Sequence, residues 1–229
     1  MDGILVIDKP SGPTSHDICQ QAKRLFKAKK VGHAGTLDPL ATGVLVLLMG
    51  QATKMAQQFS GAKKEYLFTM ELGKVSDTYD IQGKVQPGGP IPPNWQEQLQ
   101  SLIPEFIGEI TQTTPPYSAV KHNGVPLYKL ARAGKEVPVK LRQVTIESME
   151  IVPILCKEGE GGGRVTMQVS CSAGTYVRSI THDLGQKLGC GAIVTELRRL
   201  KSEPFRVEDA IPGPHLPIFP LQPKLGHAS

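Results

Sequence analysis

Tyr66-Leu67-Phe68-Thr69-Met70-Glu71-Leu72 places a large apolar side chain at every second position. Tyr66, Phe68, Met70 and Leu72 therefore share one face of an extended strand. Just upstream, Gly43-Val44-Leu45-Val46-Leu47-Leu48-Met49-Gly50 is a continuous apolar run between glycines. Its length predicts a strand covered on both sides. Residues 3–7 read as another buried strand, stopped by Asp8-Lys9-Pro10, and 145–154 and 164–171 as two more, joined by a glycine-rich turn at 159–163. Helical spacing lies between them. Ile18, Ala22, Leu25 and Phe26 form one face behind a Thr14 or Ser15 cap, with Gly32 ending the helix. Residues 95–106 and 128–133 are expected to be helical, as are Val177, Ile180, Leu184 and Leu188 behind a Thr175 cap. Residues 32–43 read as a Gly, Thr and Pro loop, and the chain after Phe205 as a proline-rich path over the surface. Strands and helices mix without steady βαβ alternation, so the fold class is α+β. Neither an internal repeat nor a linker-like boundary is visible.

The 229 residues suit one large domain or two small ones. No apolar run reaches the length of a signal core or a membrane span, which predicts a soluble, intracellular, cytoplasmic protein. Cys19, Cys156, Cys171 and Cys190 form neither a C-x-x-C pair nor a zinc-like cluster with histidine, so buried thiols and no metal are expected. The net charge of +5 is concentrated. Residues 121–142 hold six Lys or Arg against the single acid Glu136, while Lys23, Arg24, Lys27, Lys29 and Lys30 have no acid between them. Two such clusters suit a polyanion such as nucleic acid, with solvated basic faces as the plain alternative.

Three residues stand out. Pro39 pushes Asp38 out of helical geometry. Spacing alone favours Asp38 as a helix N-cap with Pro39 at the first helical position. It gives no extra support to the other reading, a carboxylate on a rigid turn acting as nucleophile or base. Arg178 falls in the first turn of its helix, where its charge opposes the dipole. A nearby carboxylate would remove that conflict, with Asp38 one candidate; an exposed arginine reaching water is the equal alternative. Tyr66 is by default a core residue, yet a buried phenol wants a polar partner and an aromatic ring can stack on a base.

Several motifs then fall in one order. Gly32-His33-Ala34-Gly35-Thr36-Leu37-Asp38-Pro39-Leu40-Ala41-Thr42-Gly43-Val44-Leu45 resembles the catalytic motif of the bacterial tRNA pseudouridine-55 synthases of the TruB type. Ile7-Asp8-Lys9-Pro10-x-Gly12 and Lys64-Glu65-Tyr66 are similar to that family's N-terminal and Lys-x-Tyr motifs. Pro115-Pro116-Tyr117-Ser118-Ala119-Val120-Lys121, Cys171-Ser172-x-Gly174-Thr175-Tyr176-Val177-Arg178-Ser179 and Leu197-Arg198-Arg199-Leu200 continue the match.

The resemblance implies a pseudouridine-synthase-like, largely antiparallel sheet with flanking helices and a central basic cleft. It implies that Asp38 is the essential group in breaking the uridine N1–C1′ bond, after which the base turns and rejoins through C5. Asp38 either attacks C1′ or removes a proton from C2′, and both routes stay open. Tyr66 matches the tyrosine that stacks on the flipped base, and Arg178 the arginine that pairs with the catalytic aspartate. Lys9, Pro10, Tyr176 and Leu197 match pocket positions. Asp80 matches a polar contact near the target nucleotide, and His33 the residue that enters the RNA loop as the base leaves. Lys64, and Lys121, Lys129 and Arg132 of the 121–142 arm, count among the RNA-binding positions. Extruding a stacked uridine costs about a few kcal/mol, which phosphate contacts help to offset. The isomerisation has no net redox change, so no cofactor is expected.

The implied partner is the T-arm of tRNA, with position 55 as target; the protein itself is expected to be a monomer with no obligate protein partner and no membrane. Residues 1–210 form the expected catalytic domain and 211–229 a proline-rich tail. Only 23 residues follow Arg206, five of them proline, so the family's usual C-terminal RNA-binding domain is expected to be missing. A non-catalytic RNA-binding protein on the same scaffold is the competing class; it would not need Asp38, Tyr66 and Arg178 together. A guide-RNA-dependent relative is a third reading.

Overall fold

The structure, a computed structural model, describes residues 2–153 and 163–213. Its elements in chain order begin with β1 (Gly3–Lys9), α1 (Ser15–Leu25), β2 (Val31–Ala34), β3 (Thr42–Met49), α2 (Ala56–Ser60), β4 (Lys64–Leu72), β5 (Lys74–Val75) and β6 (Gln86–Pro87). They continue with α3 (Trp95–Leu102), β7 (Gly108–Thr113), β8 (Lys121–His122), β9 (Val125–Pro126), α4 (Leu127–Arg132) and β10 (Leu141–Ile151). The last are β11 (Arg164–Cys171), α5 (Val177–Lys187), β12 (Ala192–Ser202), β13 (Phe205–Arg206) and β14 (Ile211–Pro212). The class is α+β, with most strands in a large, mostly antiparallel sheet. Among the described residues no helix is long and apolar enough to cross a membrane.

Two compact units divide the chain: Met1–Tyr66 with Arg198–Ser229, and Leu67–Leu197. The first is built from both ends of the sequence, so no linker composition marks it. Its described strands run β14-β1-β3-β12, with β2 on β3 and β13 on β12. β1 pairs antiparallel with β3 from Gly3↔Met49 to Lys9↔Gly43. β14 pairs in parallel with β1, and β12 in parallel with β3 at Arg198↔Thr42 and Arg199↔Gly43. All of β3 after Thr42 is buried, as its unbroken apolar run predicts. Ala34, Val44, Val46, Leu48 and Phe59 form one apolar cluster, and the Phe59 ring meets Phe205 at 5.5 Å. In the second unit β10 pairs antiparallel with both β7 and β11, with a register shift between Ile146 and Ser148. The Thr69 and Thr166 hydroxyls bond each other at 2.9 Å, and Thr195 Oγ1 donates to the Thr69 carbonyl. Phe68, Met70 and Leu72 are all under 3% exposed, each burial stabilising by about 1.5–3 kcal/mol.

Several expectations need correction. β1 runs on through Asp8 and Lys9, because Lys9 still has a ladder partner in Gly43. Gly32 does not end α1. That helix stops at Leu25, capped by Phe26, and Gly32 lies inside β2. The N-terminal cap is Thr14 in a capping box with Asp17. The 95–106 helix tightens to a 3-10 turn at Ile103–Phe106, where Pro104 lacks a backbone donor. Thr175 does not cap α5; Tyr176 holds that position and Thr175 Oγ1 bonds the Ser172 carbonyl. The chain after Phe205 does not simply cross the surface, since β13 and β14 tie it into the sheet. Residues 214–229, Cys156 and most of the 159–163 turn lie outside the described residues. Cys19, Cys171 and Cys190 are buried free thiols, and burial pushes Cys19 up to about 11.

Candidate active site

Residues 35–41 connect β2 to β3 and carry Asp38. No helix follows Asp38, so the N-cap reading falls; Ala41 N closes a turn onto the Asp38 carbonyl at 3.1 Å. Three side chains fasten this loop, all through its backbone. Ser15, at the start of α1, accepts from Leu37 N at 2.8 Å and donates to the Leu37 carbonyl at 3.0 Å. The Lys9 ammonium, fully buried, donates to the carbonyls of Ala41 (2.7 Å), Pro10 (2.9 Å) and Pro39 (3.2 Å). Arg199, 1% exposed, donates to Val44 (2.7 Å), Gly35 (3.1 Å) and Thr36 (3.5 Å). Gly12 N adds a bond to the Pro39 carbonyl. The main chain on both sides of Asp38 is thus fixed by groups distant in sequence, which holds the position of its side chain.

Burial lowers the Lys9 pKa to about 8, opposed by the negative charge of Asp38 and helped by the positive charge of Arg199. Between about 8 and the ordinary 10.5 the unfolded chain holds a proton that the folded chain lacks, so this group makes stability rise with pH across that window. A side-chain NMR titration is expected to show one lysine losing its proton near pH 8, its signal absent in Lys9→Met. Finding all lysines above pH 10 would contradict this.

Other expected residues of the first unit have defined places. His33 lies on β2 with a buried Nδ1 that has no hydrogen-bond partner among the described residues. Burial, with Arg199 and His16 nearby, lowers its pKa and keeps it neutral at pH 7. Lys64 is buried, its ammonium donating to the carbonyls of Ser60 (2.7 Å), Phe59 and Ala62 at the end of α2. Tyr66 is 8% exposed on β4. Asp8 forms a two-pronged pair with Arg198 at 2.7 and 3.0 Å, and Arg198 also donates to Thr42 Oγ1.

The second unit holds the Arg178 node. Gln112 bonds both the N–H and the carbonyl of Tyr176, supplying at the start of α5 what no side-chain cap provides. Arg178, 3% exposed, donates to the carbonyls of Thr78 (2.7 Å) and Tyr117 (3.1 Å) and lies 3.7 Å from the Asp80 carboxylate. The dipole conflict expected for Arg178 therefore has a carboxylate answer in Asp80. Asp80 is itself held by Thr78 Oγ1 at 2.7 Å and Gln82 N at 2.9 Å. Leu197 is buried on β12.

The 121–142 arm opens as a hairpin of β8 and β9 turned by Asn123 and Gly124, both at positive φ. This is the Asn-Gly hairpin chemistry that the sequence carries in plain form. α4 follows, anchored by fully buried Leu127. Lys121, Lys129 and Arg132 are exposed, Arg132 lying 5.5 Å from the Tyr128 ring centroid. Lys23, Arg24, Lys27, Lys29 and Lys30 are exposed as well. Sequence reasoning missed Ser15 and Arg199 as loop-holding residues. Local spacing gave no signal for Arg199: its place on the buried face of β12 with Leu197, where a charge needs partners, exists only once that strand has formed.

Comparison with known proteins defines the class. A family model described as the TruB family pseudouridylate synthase N-terminal domain matches residues 23–177, and a tRNA pseudouridylate synthase B C-terminal domain model matches 178–213. The chain belongs to the TruB family of pseudouridylate synthases. It is 42% identical over 96% of its length to a tRNA pseudouridine synthase B of Opitutus terrae, spanning 89% of that protein. It is 46% identical over 92% of its length to one of Syntrophotalea carbinolica, spanning 67% of that protein. Among solved structures it resembles a chain of a Cbf5-Nop10-Gar1 complex (34% identity, TM-score 0.68) and one of an H/ACA RNP bound to a substrate RNA containing 2′-deoxyuridine (31%, 0.66). Each match covers 92% of this chain but only about half of the other, 52% and 50%.

Proposed function

We propose that this protein isomerises a uridine of tRNA to pseudouridine, at position 55 in the T-loop, with residues 1–210 as the catalytic portion. Family membership over residues 23–177, which include Asp38 and Tyr66, carries the reading. Asp38 acts as nucleophile at C1′ or base at C2′, Tyr66 stacks on the extruded base, and Arg178 serves the carboxylate as the family motif assigns. Lys9, Pro10, His33, Lys64, Asp80, Tyr176 and Leu197 keep the supporting places that the resemblance gives them. A cytoplasmic monomer acting on the T-arm alone is part of the same proposal.

The test is tritium release from a T-arm RNA carrying C5-labelled uridine. Release with the target uridine, and none when cytidine replaces it and other labelled uridines remain, supports the reading. No release from the uridine substrate defeats it.

The exposed cations of the arm lead to a second expectation. Changing Lys121, Lys129 and Arg132 together to glutamine should raise KM with little change in kcat. The salt dependence of binding should become shallower by about 0.7–0.9 per phosphate contact removed. An unchanged salt slope would remove the arm from the RNA interface.

A further inference from the structure

Tyr79 has φ 64°, a left-handed conformation that is costly for a tyrosine. The residues on either side explain what that conformation achieves. Thr78 offers its carbonyl to Arg178 at 2.7 Å, and Asp80 brings its carboxylate to 3.7 Å from the same guanidinium. Tyr79 itself turns to another part of α5. Its ring stacks on His182 with centroids 3.9 Å apart and planes 11° from parallel. His182 is four residues after Arg178, one turn along the same helix face. The main chain is tied down too, since Tyr79 N donates to the Ser76 carbonyl and the Tyr79 carbonyl accepts from Val194 N. Burial lowers the His182 pKa, opposed by the negative charge of Asp183, so the imidazole is neutral at pH 7; burial, with the charge of Asp183, raises the Tyr79 pKa.

We infer that the Tyr79–His182 stack is a positioning clamp that fixes the Arg178 guanidinium in its reactive orientation. The loop and the helix meet at two points. Arg178 takes the partners before and after Tyr79, and His182 takes Tyr79. The stack holds the loop against rotation about the Arg178 contacts. It also sustains the left-handed turn that lets residues 78 and 80 face one guanidinium together. Neither ring is assigned contact with the reacting atoms. The inference rests on the proposed part of Arg178 in the reaction.

Glycine adopts a φ of 64° freely, so Tyr79→Gly removes the ring without forcing the backbone. Tyr79→Gly and His182→Ala are each expected to lower kcat by about 10- to 100-fold at unchanged KM for T-arm RNA, the scale of a small misplacement. The double variant should be no worse than the poorer single one. Tyr79→Phe, which keeps the stack, should turn over like the wild type. The Arg178 Nε–H resonance should be sharp and slow to exchange in wild type and Tyr79→Phe, and lost or broadened in the other variants. Unchanged kcat together with an unchanged Nε–H signal in Tyr79→Gly overturns the clamp. So does a loss that Tyr79→Phe shares, or one that follows a fall in the urea midpoint. A changed Nε–H signal with full activity upholds the clamp and shows instead that Arg178 has no part in turnover.

Discussion

Asp38→Asn should leave the fold intact and reduce turnover by about 10²- to 10⁴-fold, the range expected when a positioned proton-transfer group is lost; losing a nucleophile would place it at the upper end or beyond. The substitution is nearly isosteric, and residue 38 serves the turn through its carbonyl, which accepts from Ala41 N. Lys9, Ser15 and Arg199 hold neighbouring backbone groups that asparagine does not alter. The loop should therefore keep its shape, and RNA affinity should fall little. Single-turnover tritium release together with equilibrium RNA binding separates the two effects. Release near the wild-type rate from folded Asp38→Asn would remove Asp38 from the chemistry, and the non-catalytic RNA-binding reading would then regain ground.

Gly43→Ala should have the largest effect on stability. Gly43 has φ +96° and lies where β1, β3 and β12 meet, opposite Lys9 on one side and Arg199 on the other. A Cβ there would fall 2.2 Å from the Arg199 carbonyl oxygen and 2.8 Å from its nitrogen. Both are backbone atoms of a paired strand, so no rotamer change relieves the clash. Strain at positive φ and displacement of β12 together should cost at least about 3 kcal/mol. A shift of the same strand would pull the Arg199 side chain from Val44, Gly35 and Thr36, so activity should fall in the population that still folds. Urea unfolding is the measurement. A midpoint within a few tenths of a molar of wild type would show that the three strands are not closely packed at this glycine.

Periodicity carried much of the fold. The alternating row of β4, the continuous run of β3 and the apolar face of α5 were legible because each writes its burial directly into spacing. β12 was not, because Glu196, Arg198, Arg199 and Lys201 interrupt its apolar pattern. Its burial depends on partners far away: Arg198 needs Asp8, and Arg199 needs the carbonyls of residues 35, 36 and 44. The short strand β2 was hidden for a similar reason, since Gly32 and His33 look like loop residues until β3 lies beside them. Asp38 was singled out by motif rather than by physics. Local spacing pointed to a helix cap, and only the long-range bonds to Lys9, Ser15 and Arg199 explain why no helix forms there. The Asp80 partner of Arg178 was equally invisible, because two groups 98 positions apart in the chain fold into contact.

The clasp that Arg199 places on the Asp38 loop has a consequence for how the protein is made. The bond from Arg199 to Val44 joins residues 155 positions apart, and that to Gly35 joins residues 164 apart. On a ribosome, the loop is synthesised early and remains without this clasp until almost all of the described chain has emerged. β1 and β3 can pair in that interval, but β12 and β14 cannot yet join them. A nascent chain stalled before residue 199 would already display the Asp38 motif with its backbone only partly secured. Completion of the loop is thereby linked to synthesis through residue 199, and a product interrupted before it should be a poor modifier of RNA even though it contains Asp38, Tyr66 and Arg178.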